Sequence, residues 1–423
     1  MSEWVSQALG ELVAFQKGRK VETSEHLKEG FAPYLGASAI SGVIEEYADM
    51  RGGVTASIGD VLMLWDGERS GLVGKAQPGV ISSTVARLSP KKEIDGEFLY
   101  YALDANFEWI QGRRTGTGVP HVPKDLSRIL VIHYPEDKKE QRRIAEILST
   151  LDKTIEQTEA LITKHQQIKA GLMHDLFTRG VTPDGKLRPP REQAPDLYKE
   201  SPLGWIPKEW EVEKLGILAE IVSGVTLGAK GEKNDEIGVP YLRVANVQDG
   251  YFDLMEVKTV RVSRVQFEKL QLQYGDVLMN EGGDFDKLGR GSVWQEEIKP
   301  CIHQNHVFRV RPKNDRLRSF YLAFWSQSEI GKKYFVLSSK QSTNLASINS
   351  TQLKRFPVAL PSSNEQERIE TRLFAMNEHH ASLRRQLANF REQKQGLMHD
   401  LLTGRVRISK EVGLYEITFK RTS

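Results

Sequence analysis

Glu140-Gln141-Arg142-Arg143-Ile144 returns as Glu365-Gln366-Glu367-Arg368-Ile369. Gly171-Leu172-Met173-His174-Asp175-Leu176 returns letter for letter as Gly396-Leu397-Met398-His399-Asp400-Leu401. Both pairs are displaced by 225 residues (365 minus 140, 396 minus 171), so the segments between the landmarks align without a gap. Two landmarks at one interval mean that the chain holds two copies of one unit.

Between the landmarks, one stripe of positions advances in steps of four and three. In the first copy it holds Ile144, Leu148, Leu151, Ile155, Thr158, Ile162, His165, Lys169, Leu172 and Leu176. In the second it holds Ile369, Leu373, Met376, His380, Leu383, Leu387, Phe390, Lys394, Leu397 and Leu401. A narrow stripe held over several heptads predicts a coiled-coil seam. A helix of about 35–40 residues spans about 55 Å. Neither stripe is apolar enough to stand alone, so the two helices are expected to pair with each other. The pairing is antiparallel, because a whole globular domain must fit between them.

Outward from the helices, residues 1 to about 135 read as short strands, turns and a few helices. Gly59-Asp60-Val61-Leu62-Met63 predicts a turn feeding a buried strand, Val80 to Leu88 a second strand, and Phe98 to Leu103 a short helix. Gly275 to Met279, His306 to Pro312 and Phe320 to Trp325 repeat these in order, at offsets of 216 (275 minus 59) and 222 (320 minus 98) for the first and last. The frame is shared and the loops differ, which is how one scaffold carries two specificities. The expected fold class is α+β: two repeated globular domains joined by two long helices in an antiparallel coiled coil with pseudo-twofold symmetry. The boundaries are 1–136 for the first domain, 137–180 for the first helix and 181–201 for a Pro-rich linker. The second domain follows at 202–361, the second helix at 362–405 and a tail at 406–423.

Lys and Arg number 59 against 56 Asp and Glu, so binding to nucleic acid requires local basic patches rather than bulk charge. The single cysteine, Cys301, excludes a disulfide framework and fits a reducing compartment. The start of the chain has neither the basic nor the apolar segment of a signal peptide, and no stretch reaches the apolar length of a membrane span. The expected location is the cytoplasm.

These landmarks resemble the specificity subunit of type I restriction–modification systems. That family opens each helix with Pro-x-x-x-Gln-x-x-Ile, closes it with a Gly-Leu-Met-x-x-Leu-Leu-Thr-like run, and opens a domain with Gly-x-Ile-Pro-x-x-Trp. Here the motifs stand as Pro135 to Ile144 and Pro361 to Ile369, with five and four residues rather than three between Pro and Gln, and as Gly171 to Thr178, Gly396 to Thr403 and Gly204-Trp205-Ile206-Pro207-Lys208-Glu209-Trp210. The first copy departs from the pattern, opening with only Glu3-Trp4. The resemblance implies that each domain reads one half of a split, asymmetric site in double-stranded DNA. It implies that the helices fix the spacing and hold two methyltransferase subunits, through which restriction subunits join. The chain itself is then non-catalytic, with no cofactor of its own, and S-adenosylmethionine belongs to the partner methyltransferase. The alternative is a coiled-coil interaction scaffold without DNA specificity.

Other constellations are weaker. Val239-Pro240-Tyr241 and Thr115-Gly116-Thr117-Gly118 lack the context of a methyltransferase. His174-Asp175 and His399-Asp400 have no second histidine pair and suit helix ends, where a cation is favoured. Cys301, His303 and His306 lack a second cysteine, and on a strand His306 would point away from the other two. No catalytic, cofactor-binding or metal-binding residue is therefore expected. The candidates for DNA contact are loops in corresponding positions. In the first domain they are Trp65 and Arg69, and Arg113, Arg114, Thr115, Thr117 and His121. In the second they are Asp284, Lys287 and Arg290, and Lys340, Gln341, Thr343 and Asn344. Arginine suits phosphate and guanine, and Gln and Asn suit adenine.

Overall fold

The computed structural model describes residues 3–116, 118–227, 236–283, 288–341, 346–408 and 417–419. The chain divides into two compact units, Met1–Leu161 with Leu383–Ser423, and Ile162–Ser382. Each unit therefore contains one globular domain and half of each long helix.

In the first copy the chain forms β1 (Trp4–Ala8), β2 (Val13–Lys17), β3 (Val61–Leu64), β4 (Val73–Lys75) and β5 (Val85–Pro90). Then come α1 (Gly96–Ala105), β6 (Val131–Pro135) and the long α2 (Lys138–Thr178). The second copy forms β7 (Glu211–Lys214), β8 (Ala219–Ser223), β9 (Val277–Asn280), β10 (Gly291–Val293) and β11 (Val307–Pro312). It ends with α3 (Ser319–Gln327), β12 (Pro357–Leu360) and the long α4 (Ser363–Leu402). The antiparallel sheets run β2-β5-β3-β4 and β8-β11-β9-β10, and β1 pairs with β6 as β7 pairs with β12. The central strands β3 and β9 are buried along their whole length, so they read as continuous runs rather than alternating ones.

One expected strand divides. Residues 80–88 form Gly79–Ile81, which pairs in parallel with Tyr34 and Leu35, and then β5, which pairs with β2 and β3. Ser82 and Thr84 make the turn, their hydroxyls 3.0 Å apart and Val85 N donating to Ser82 O. Val80 and Ile81 on one side of the polar Ser82-Ser83-Thr84 turn and Val85, Ala86 and Leu88 on the other are all buried, in different sheets.

The copies match further than the sequence reading drew out. Trp4 to Gly18 reproduces Trp210 to Gly224 at an offset of 206 (210 minus 4), with Leu9-Gly10 standing for Leu215-Gly216. Gly18 and Gly224 are required by close backbone approach: a Cβ on either would collide with a carbonyl, Ser82 O or His303 O. Gly180 and Gly404, both at φ +67°, end the long helices in the left-handed conformation. A Cβ on Gly180 would run into Trp210, and one on Gly404 would crowd Trp4. The departure at Glu3-Trp4 thus leaves the tryptophan in its place.

Two glutamines join the domains to the helices. Gln141 and Gln366 are both completely buried. Gln141 Nε2 donates to Pro135 O (2.8 Å) and Glu93 O (3.0 Å), and its Oε1 accepts from Asp95 N (2.7 Å). Gln366 Nε2 donates to Pro361 O (3.0 Å) and Arg316 O (2.7 Å), and its Oε1 accepts from Arg318 N (2.9 Å). Each fork ties the strand before a long helix and the loop before α1 or α3 to that helix. The helix caps differ. Asp95 caps α1 by accepting from Glu97 N and Phe98 N, whereas α3 has Arg318 there and borrows Glu370 of α4, which accepts from Tyr321 N at 2.8 Å.

The segment expected as a linker lies against the core of the second unit. Glu365 is buried and accepts from Val181 N (2.8 Å), Arg188 Nη1 (2.5 Å) and Trp210 Nε1 (3.2 Å). Tyr198–Ser201 forms a hairpin with Gly204–Pro207. In the tail, Val406–Ile408 pairs with Ile417–Phe419, and Val406 joins the core of the first unit.

The seam stands where the periodicity places it. Ile144, Leu148, Ile369, Leu373 and Leu383 are buried, and Leu151, Ile155, Ile162, Leu172, Met376, Leu387 and Leu397 are partly buried. Within the first unit, Asp152 meets Lys394 at 2.7 Å and Glu159 meets Arg391 at 2.6 Å. Within the second, His165 packs on His379 at 4.3 Å and Val181 N donates to Glu365. Numbers rise on one helix as they fall on the other, so the pairing is antiparallel in both units. The seam lysines are not equivalent. Lys394 lies between Asp152 and Asp104 (3.8 Å), with Tyr101 donating to Asp152. The second copy has Asn377 at the counterpart of Asp152. Lys169 has no ion pair among the described residues, and burial lowers its pKa.

Removing either fork leaves buried main-chain groups without partners, each costing about 1–3 kcal/mol. Gln141→Ala is expected to destabilise the first unit, and Gln366→Ala the second, by about 3 kcal/mol each. Hydrogen exchange resolved along the chain checks this, the protection loss falling in the unit that contains the substitution.

Candidate nucleic-acid interface

In the first domain the two nominated loops meet. Trp65 N donates to Thr84 O and Val122 N to Trp65 O, while the Asp66 and Thr115 backbones both bridge His121. In the second domain Glu281 N donates to His306 O and Ile348 N to Glu281 O. There Gly282–Gly283 pairs with Ala346–Ser347, which pairs with Lys340–Gln341. The hydrogen bonds make Trp65 equivalent to Glu281, Thr115 to Lys340 and Val122 to Ile348. Each domain thus presents one composite edge, built from the loop after its central strand and a hairpin from later in the chain.

The described candidate side chains of the first edge are exposed or partly exposed. Arg113 lies 3.9 Å over the Trp109 ring, and Arg114 Nη1 donates to Glu68 O at 2.6 Å. Arg69 is exposed, and Trp65 is tilted against Phe15 at 4.9 Å. Asp66 accepts from Lys17 Nζ at 2.8 Å and contacts His121 Nδ1 at 2.7 Å. In the second edge Glu281 Oε2 lies 2.6 Å from His306 Nδ1, and Arg290 Nη1 is 3.4 Å from Gln248. Lys340 and Gln341 lie on the hairpin strand. Thr117, Asp284, Lys287, Thr343 and Asn344 lie outside the described residues.

The sequence reading nominated Trp65, Arg69 and His121 but missed Phe15, Lys17, Asp66 and Glu281. Lys17 and Phe15 precede Gly18, so the match between Trp4–Gly18 and Trp210–Gly224 was the signal that leads to them.

A family model described as "Type I restriction modification DNA specificity domain" matches residues 1–167 and 207–389. The chain belongs to the type I restriction–modification DNA specificity family. It is 28% identical over 418 residues to the type I restriction enzyme MjaVIII specificity subunit of Methanocaldococcus jannaschii, covering 96% of this chain and 93% of that one. It is 23% identical to the EcoBI specificity subunit of Escherichia coli, covering 81% and 72%. Its fold is similar to that of the type I restriction–modification S subunit of Mycoplasma genitalium, with a TM-score of 0.58 at 17% identity, covering 95% and 96%. No helix among the described residues is long and apolar enough to cross a membrane.

The other constellations of this specificity subunit have structural occupations. Cys301 and His303 are buried; burial raises the thiol to about 12 and lowers the imidazole to about 4, and His303 Nδ1 lies 2.6 Å from Val307 O. His174 and His399 each accept a hydroxyl from the threonine four residues on, Thr178 (2.7 Å) and Thr403 (2.5 Å), at their carbonyls.

Neutralising Arg113 and Arg114 together tests the first edge. If they meet phosphate, affinity falls for every sequence and the salt slope shrinks by about one per contact. If one reads guanine, the loss is about 1–3 kcal/mol at a single base position. Titrations of matched and mismatched duplexes at several salt concentrations check this, and unaltered binding removes both residues from the interface.

Proposed function

We propose that each recognition domain reads one half of a split, asymmetric site in double-stranded DNA, and that α2 and α4 set the distance between the halves. The observation that carries this reading is the repeated sheet, with one strand order in both copies, bearing two edges of different residues at equivalent positions. One scaffold with two different readers suits a site whose halves differ. The exposed flanks of the long helices suit docking of two methyltransferase subunits, with restriction subunits joining through the complex. The chain is non-catalytic in this reading. S-adenosylmethionine is bound by the partner, and the sequence specificity comes from this subunit.

A further heptad in each long helix preserves the seam and adds about 10 Å, roughly three base pairs. Inserting seven residues after Leu161 and seven after Ser382 is expected to lengthen the accepted spacer by that amount. Mapping methylated adenines in cells carrying the complex checks it. An unchanged spacer removes the helices as a ruler, and a site that was never split removes the two-reader reading.

A further inference from the structure

We propose that the acid–imidazole pair in each composite edge, Asp66–His121 in the first domain and Glu281–His306 in the second, reads one base pair of that domain's half-site. The contact atom is the imidazole Nε2. This inference rests on the DNA-recognition reading above.

The two pairs occupy the same corner but are made from different positions. The carboxylates sit side by side in the frame, since Glu281 is equivalent to Trp65, the residue before Asp66. The imidazoles come from opposite sides. His121 lies on the later hairpin, and His306 lies in the turn before β11 at the place of Thr84. Some contacts that hold the frame together keep their positions in both copies, as the glutamine forks do, whereas others, such as the caps of α1 and α3, are rebuilt. A contact rebuilt from other residues at the same corner follows the loops, which are the parts that differ between readers.

Stability does not account for these pairs. The His121 and His306 side chains are 45% and 58% exposed, so water reaches both pairs even though Asp66 and Glu281 are only 17% and 29% exposed. Exposed ion pairs add little to folding because water and salt screen them. Their geometry orients the ring instead. Nδ1 is engaged by the carboxylate at 2.7 Å in one pair and 2.6 Å in the other, and Nε2 has no hydrogen-bond partner among the described residues. A ring anchored through one nitrogen presents the other in a fixed direction. In the first domain Lys17 holds the second oxygen of Asp66, which also offsets the repulsion between that carboxylate and a polyanion.

One directional nitrogen suits one major-groove base edge. A protonated ring donates to guanine N7 or O6, adenine N7 or thymine O4, and a neutral ring accepts an amino hydrogen from adenine N6 or cytosine N4. Asp66 and Glu281 are positioning residues and need not touch the base.

The test uses the full chain assembled with its methyltransferase subunit and a duplex library with two randomised blocks and spacers of varied length. Sequencing the selected duplexes gives the base preference at every position. His121→Ala is expected to lose about 10- to 100-fold of preference at one position of the first half and to leave the second half unchanged. His306→Ala is expected to do the converse. Asp66→Ala should relax the same position as His121→Ala, whereas Asp66→Asn, which still accepts from Nδ1, should retain most of the preference. Unchanged preferences in the histidine variants overturn the inference, as does weakening spread evenly over all sequences. A parent complex that selects no sequence overturns the DNA-recognition reading itself, which distinguishes the two failures.

Discussion

Everything the two domains present depends on a buried glutamine at the start of each long helix. Gln141 and Gln366 each tie a recognition domain to the start of its helix, using two donors and one acceptor. All six partners are main-chain atoms. The fork therefore specifies where a loop passes and leaves the loop's side chains unspecified: Glu93 and Asp95 stand in one copy where Arg316 and Arg318 stand in the other. A buried polar group is costly unless its hydrogen bonds are complete. The fork is complete, so it fixes geometry strongly without constraining what the domain reads.

Around that constant the two units solve the same problems with different residues. The first caps α1 with Asp95, and the second caps α3 with Glu370 brought over from α4. Lys394 has two carboxylates in the seam, whereas Lys169 at the matching place makes no ion pair among the described residues and is partly buried, with Asp249 opposing the effect of that burial. Such substitutions accumulate where geometry is fixed by something else.

The repeat, the seam and the α+β class were legible because they are periodic, and periodicity survives differences in loop length. Positions 144 to 176 and 369 to 401 could be assigned to a buried stripe from spacing alone, and even the lysines and histidines on it are at least partly buried. The division of residues 80–88 falls at Ser82-Ser83-Thr84, whose hydroxyls make the turn; three such residues also suit a strand with β-branched neighbours, so the break was not read from them. The composite edges were half legible. Loop correspondence could be read from the landmarks, but the joining of Asp66 to His121, 55 residues apart, and of Glu281 to His306, 25 apart, is a tertiary event. Phe15 and Lys17 escaped because the first-copy opening lacks the Pro-flanked turn that marks the second.

The boundary between the units falls inside both helices, at Leu161 and Ser382, and this has a consequence for synthesis. Residues 162–382 are contiguous, so the second unit has all its parts once that stretch has emerged from the ribosome. The first unit begins earlier and is completed later, because Leu401, Leu402 and Val406 belong to its core. The first domain made is therefore the last finished. It spends the interval with the face that receives these residues uncovered, which makes it the part of the newborn chain most in need of a chaperone.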